Sequence, residues 1–97
     1  MFRIDFGAGG AVVLAGRLDA AQSPAAQAFL DRVQGTVTLD LAGLEYISSA
    51  GLGVFLKTHK RLSAAGGKLR LAGASRHLLD IFRYSGFDQI FEILPSQ

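Results

Sequence analysis

The sequence predicts an α/β fold: a mixed, mostly parallel sheet of about five strands in β-β-α-β-α-β-α-β order, with the helices mainly on one face. Three observations lead there. Phe2, Ile4 and Phe6 alternate with Arg3 and Asp5 ahead of Gly7-Ala8-Gly9-Gly10, the pattern of a strand entering a hairpin. Downstream, short apolar runs alternate with segments whose apolar residues recur at helical spacing, and such alternation joins parallel strands through crossovers. Each helical segment is followed by a glycine, at Gly35, Gly66 and Gly86, the residue that most readily ends a helix.

The first strand is Phe2–Phe6 and the second the more apolar Ala11–Ala15. Gly16-Arg17-Leu18-Asp19 leaves the second strand toward a helix that Ser23 caps and Pro24 opens, with Phe29, Leu30 and Val33 as its apolar stripe. The third strand, Thr36–Leu41, buries Val37, Leu39 and Leu41 and turns Thr36, Thr38 and Asp40 to a partly covered face. A helix from about Ser49 to Ala65 follows, with Leu52, Phe55, Leu56, His59 and Leu62 in one stripe. Lys68–Ala72 is the fourth strand. Ser75 caps a third helix that buries Leu78, Leu79 and Phe82, Phe87 packs back beyond Gly86, and Ile90–Ile93 makes a short last strand. With the strands in sequential order, right-handed crossovers put the helices on one side, and no reversal of order opens a dinucleotide crevice.

At 97 residues, 49% hydrophobic and 19% charged, residues 1–97 are expected to form one domain around one core. The net charge is only +2 and the basic residues cluster only at Lys57-Thr58-His59-Lys60-Arg61, which argues against nucleic-acid binding. The lack of cysteine excludes disulfides and thiol chemistry and suits a reducing cytoplasm. No apolar run is long enough to enter a membrane, and the N-terminal residues lack the apolar core of a signal peptide.

Enzyme chemistry finds little support. His59 and His77 are the only histidines, the carboxylates are unclustered, and no metal or other cofactor is expected. Neither histidine has an acid at nucleophile–base spacing, and Gly51-x-Gly53 is followed by Leu56 where a dinucleotide fingerprint needs glycine.

The informative stretch is Tyr46-Ile47-Ser48-Ser49-Ala50-Gly51-Leu52-Gly53, where the third strand gives way to the second helix. Small residues keep this turn uncluttered, and a helix N-terminus favours negative charge. A serine there ordinarily caps the helix. Its hydroxyl is also a place where a phosphate can be added and tolerated.

The stretch Leu39–Gly53 resembles the central motif of the anti-sigma factor antagonists, the bacterial STAS-domain family. Leu14-Ala-Gly-Arg-Leu-Asp19 is similar to the family's Gly-Glu-Leu-Asp turn, Gly66-Gly-Lys-Leu-Arg-Leu71 to its Gly-Gly-x-Leu strand, and Ser85–Ile93 to its closing segment. The resemblance covers nearly the whole chain, apart from a C-terminal helix that many members carry. It implies a STAS fold and a binding protein. Such a protein docks on an anti-sigma factor of the serine-kinase type when unphosphorylated, is released by phosphorylation of a loop serine, and is reset by a serine phosphatase.

On this resemblance the phosphoacceptor falls on Ser49, while Asp19, Ser48, Ala50, Gly51, Val54, Lys57 and Arg61 fall in the motif or partner-binding set. Ser48 stands where an aspartate often precedes the acceptor, and Ala50 where a second hydroxyl often follows. Val54, Lys57, Thr58 and Arg61 lie off the predicted apolar stripe, and Arg17 stands where the family often has glutamate. The alternative is a non-switching STAS module: a stressosome-like scaffold or a soluble subunit of a lipid or anion transporter.

Overall fold

A computed structural model describes residues 1–95. The N-terminal strands β1 (Phe2–Phe6) and β2 (Val12–Leu18) form an antiparallel hairpin with Ile4 opposite Leu14. The turn is closed by the Gly7 N–H, which donates to the Ala11 carbonyl at 2.7 Å. There follow α1 (Ser23–Leu30), β3 (Thr36–Ile47), α2 (Ser49–Ala64), β4 (Lys68–Ala72), α3 (Arg76–Tyr84) and β5 (Glu92–Ile93). The sheet order is β1-β2-β3-β4-β5, with all pairs after the hairpin parallel. The predicted fold class, element order and sequential strand order are all observed.

Strand periodicity sorts the two faces of the sheet. Val12, Leu14, Leu39, Leu41, Leu69 and Leu71 are buried with Leu30, Phe55, Leu62, Leu78 and Phe82 from the three helices in one cluster. The alternate positions Arg3, Thr38, Asp40, Lys68 and Arg70 keep contact with solvent. The helices therefore stack on one side, and the other side of the sheet is open.

Several boundaries differ from the predicted ones: β2 runs on to Leu18 where Ala15 was expected to end it, α1 stops at Leu30 and leaves Val33 beyond it, and three further differences have identifiable causes. The third strand continues to Ile47, well past Leu41, because two irregularities in the β2–β3 register absorb extra residues on β3. They shift the buried positions from Val37, Leu39 and Leu41 to Leu44 and Ile47, breaking the two-residue period that marks a strand in a sequence. At the first irregularity the Asp40 carboxylate accepts from the Ala42 N–H at 3.0 Å, a local bond of the kind that aspartate offers irregular backbone.

The start of α1 differs too. Gln22 is the N-cap and Ser23 is already helical and buried, so the expected serine cap is not made. The Ser23 hydroxyl instead donates to the Asp19 carbonyl at 2.8 Å. By contrast, Ser75 caps α3 as expected, accepting from the Leu78 N–H at 3.2 Å.

The last strand shrinks to Glu92–Ile93, preceded by a 3₁₀ turn at Phe87–Gln89. Phe87 meets Phe91 edge-on at 5.3 Å, which fixes the chain after Gly86. Glu92 is held to β4 by Lys68 at 2.9 Å and Arg70 at 3.3 Å. The hydrogen bond from Lys68 is the main reason its carboxyl titrates below the usual carboxylate range.

Candidate functional site

The serine loop is built by the sheet beneath it. Leu18 at the end of β2 pairs with Ile47, and the Ser48 N–H then donates to the Leu18 carbonyl at 2.9 Å. The parallel ladder thus runs one residue beyond β3 and delivers Ser48 directly to the start of α2. Ser48 is extended (φ −85°, ψ 171°), and its hydroxyl accepts from the Gly51 N–H at 3.2 Å. Its carbonyl accepts from the Leu52 N–H at 2.9 Å, the first bond of the helix. Ser48 is the N-cap.

Ser49 is the first residue of a 16-residue helix and is exposed, as are Ala50 and Gly53. The unsatisfied N–H groups and dipole of a helix start favour an anion there. Ala50 offers no hydroxyl, so the exposed serine oxygen at this helix start belongs to Ser49.

Gly51 is buried for a steric reason. A Cβ on it would lie 2.8 Å from Cγ1 of Ile47 and 2.9 Å from Cγ of Leu18. Glycine lets α2 sit directly on the ends of β2 and β3. Gly53, by contrast, has nothing within 4 Å of such a Cβ and faces solvent.

The buried face of α2 is rotated and widened relative to the predicted stripe. Phe55 and Leu62 are buried as expected, but so are Val54, at 6% exposure, and Thr58, at 1%. Leu52, Leu56 and His59 are half-buried. Val54 is therefore a core residue and not part of an exposed docking face. The reason is that α2 packs against α1 as well as the sheet, and Gln27 of α1 donates to the Thr58 hydroxyl at 3.3 Å.

Arg61 is exposed, yet its side chain is tied down. Its guanidinium donates to the carbonyls of Leu30 and Val33, both at 2.7 Å, and so satisfies the open C-terminal end of α1. Lys57 remains exposed, one helical turn beyond Gly53. Ser49, Gly53, Lys57 and Arg61 thus line the solvent side of α2 at i, i+4 spacing, a signal legible in the sequence but obscured by Val54.

Asp19 lies beside the loop, one residue after the Leu18–Ser48 bond. Its carboxylate accepts from the Gln22 N–H at 3.0 Å and its carbonyl from the Ser23 hydroxyl, so it closes the turn into α1. Sequence reasoning missed a neighbouring pair. Arg17 lies opposite Tyr46 in the register, and its guanidinium stacks 4.3 Å from the centre of the tyrosine ring.

Away from the loop, the His59 ring meets Phe91 edge-on at 5.3 Å, with Nε2 3.3 Å from the Ser63 hydroxyl. His77 is exposed. Among the described residues no three histidines, cysteines or carboxylates gather in a way that could hold a metal, and no helix is long and apolar enough to cross a membrane.

Similarity to known proteins agrees with this architecture. The family profile described as "Mlab, STAS domain" matches residues 5–95. BtrV of Bordetella bronchiseptica, which carries the name of an anti-sigma factor antagonist, is 41% identical over 68 residues, covering 70% of this chain and 59% of BtrV. The chain thus spans less than two thirds of that relative. The anti-sigma-B factor antagonist of Listeria monocytogenes is 35% identical over 86 residues, covering 84% of this chain and 75% of its own. Among solved structures, the phosphorylated form of the Bacillus cell fate determinant SpoIIAA superposes with a TM-score of 0.70 at 21% identity, covering 98% of this chain and 92% of SpoIIAA.

Proposed function

The chain belongs to the STAS-domain family of anti-sigma factor antagonists, and from that premise we propose that it binds an anti-sigma factor through its serine loop and is released when Ser49 is phosphorylated. The observation that carries this reading is Ser49 itself: an exposed hydroxyl on the first residue of α2, beside a neighbour, Ser48, whose own hydroxyl is occupied as the cap. SpoIIAA, which shares the fold, has a phosphorylated form.

The physics of such a switch is simple. A phosphate adds about 1.5–2 negative charges at pH 7. Within the domain, the start of α2 accommodates that charge, so the fold survives. On a partner surface shaped for a neutral serine, the same charge is desolvated without compensation, at a cost of several kcal/mol. At about 1.4 kcal/mol per tenfold in affinity, that is enough to release the partner. The chain acts here as the substrate of a serine kinase, and a serine phosphatase resets it.

A second reading is a STAS module that does not switch. It is favoured by the description of the matching family profile, which names Mlab, and by the neutral Ser48 where an acid often stands. Intact-mass measurement after incubation with ATP and a cognate anti-sigma kinase separates the two. A single added phosphate that is absent in Ser49→Ala supports the switch. No phosphate with any cognate kinase overturns it in favour of the scaffold or transporter role.

A further inference from the structure

The open face of the sheet carries a shallow groove of about 440 Å³ next to the serine loop. Its floor is bare because the cross-strand row Arg3–Ala15–Gly43 places almost no side chain on β2 and β3. The floor is also closely joined: a Cβ on Gly43 would approach that of Ala15 to 3.1 Å. At the end of the row Gly16 takes φ +88°, and a Cβ there would strike the Met1 carbonyl, so the first residue of the chain lies tightly against β2. The Arg17 N–H donates to that same carbonyl at 2.8 Å.

Charge in the groove is unevenly matched. Arg3, Arg17 and Glu45 line it. Arg3 approaches Asp5 at 3.7 Å in an exposed pair, whereas neither Arg17 nor Glu45 takes part in an ion pair among the described residues. The Arg17 guanidinium lies with its carbon 4.3 Å from the centre of the Tyr46 ring, yet the residue is exposed. A stacked guanidinium has lost much of its rotational freedom while its edge N–H donors remain available, an arrangement suited to bidentate capture of a carboxylate.

We propose that Arg17, held on Tyr46, is a specificity residue that receives a carboxylate from an acidic segment of the bound anti-sigma factor lying along this groove. The groove adjoins the serine loop through the next residue, Leu18, whose carbonyl accepts from the Ser48 N–H. Arg17 is thus the residue before the one that bonds the serine loop to β2, at the rim that the loop and the groove share. The inference rests on the partner reading of the serine loop and adds the chemistry of the partner's contact.

The test measures association and dissociation of the purified unphosphorylated chain with its cognate anti-sigma factor, at low and at about 0.5 M salt, roughly the range over which exposed charges become screened. Arg17→Ala is expected to slow association about 10-fold at low salt and Arg17→Glu by more, since a rim charge acts mainly on the association rate. Both deficits shrink at high salt. Arg17→Lys, which keeps the charge and loses the planar fork, falls between Arg17→Ala and the unaltered chain, and Tyr46→Ala weakens binding less than Arg17→Ala. Unchanged melting temperatures establish that the variants are folded.

Wild-type association by Arg17→Glu overturns the proposal. Equal, salt-independent losses in Arg17→Ala and Arg17→Glu also overturn it, because they report packing and not charge. Failure of the unaltered chain to bind the anti-sigma factor overturns the partner reading of Ser49, and this inference with it.

Discussion

Gly51 and Leu18 meet so closely that one methyl group on the glycine would come within 2.9 Å of the leucine Cγ. Alanine is the better helix former by about 1 kcal/mol, yet here it would have to displace the floor of the sheet. Gly51→Ala is expected to destabilise the fold by about 1–3 kcal/mol, as overpacking of a filled site does. Gly53→Ala, two residues on and open to solvent, is expected to stabilise it by about 0.5–1 kcal/mol. Urea midpoints of the two variants, moving in opposite directions, check the pair.

The cap on α2 separates two properties of Ser48. Ser48→Ala removes the acceptor for the Gly51 N–H and should lower stability by about 1 kcal/mol. Ser48→Asp retains a cap and adds an anion at the helix start, so its denaturation midpoint should match or exceed that of the unaltered chain.

A charge at Ser49 should act on binding and not on folding. Ser49→Asp is expected to melt at the same temperature as the unaltered protein and to bind the anti-sigma factor at least ~10-fold more weakly. Equal affinity of the two forms, measured by titration calorimetry, would remove the electrostatic basis of the switch.

Arg61, expected in the partner-binding set, is exposed and also bonds the Leu30 and Val33 carbonyls, tying α2 to the end of α1. Arg61→Ala is expected to cost about 1–3 kcal/mol, since it leaves two partly buried carbonyls without a charged donor. Arg61→Lys should recover only part, because both bonds come from Nη2 at the tip of the guanidinium and the lysine side chain is one bond shorter. Thermal melts of both variants test this, and an unchanged melting temperature in Arg61→Ala would show that the two bonds carry no stability.

Glu92 adds a side-chain tie between the short β5 and β4. Its carboxyl titrates below the usual range, chiefly through the hydrogen bond from Lys68, so the folded state binds that proton less readily than the unfolded chain. The contribution is present above the ordinary carboxylate pKa and is lost as pH falls through the lowered one. Glu92→Gln should therefore melt slightly lower than the unaltered chain near neutral pH, and the difference should vanish in strong acid. A difference that persisted there would assign the effect to packing.

The sequence alone determined the order of elements, the hairpin, the sequential parallel sheet and the place of Ser48 and Ser49 between strand and helix. These follow from local rules: a period of two or 3.6 in the apolar residues, and glycine or serine at element ends. Tertiary structure decided what local periods cannot carry. The bulges on β3 appear only when a second strand sets the register, and they hid six residues of strand from Ala42 to Ile47. Val54 and Thr58 became core because α1 lies beside α2 and widens its buried arc beyond the stripe that faces the sheet. Arg17 met Tyr46, and Arg61 met the end of α1, across separations of 28 to 31 residues in the latter case. Helical spacing tells which side chains share a face, whereas burial depends on which other elements press against that face.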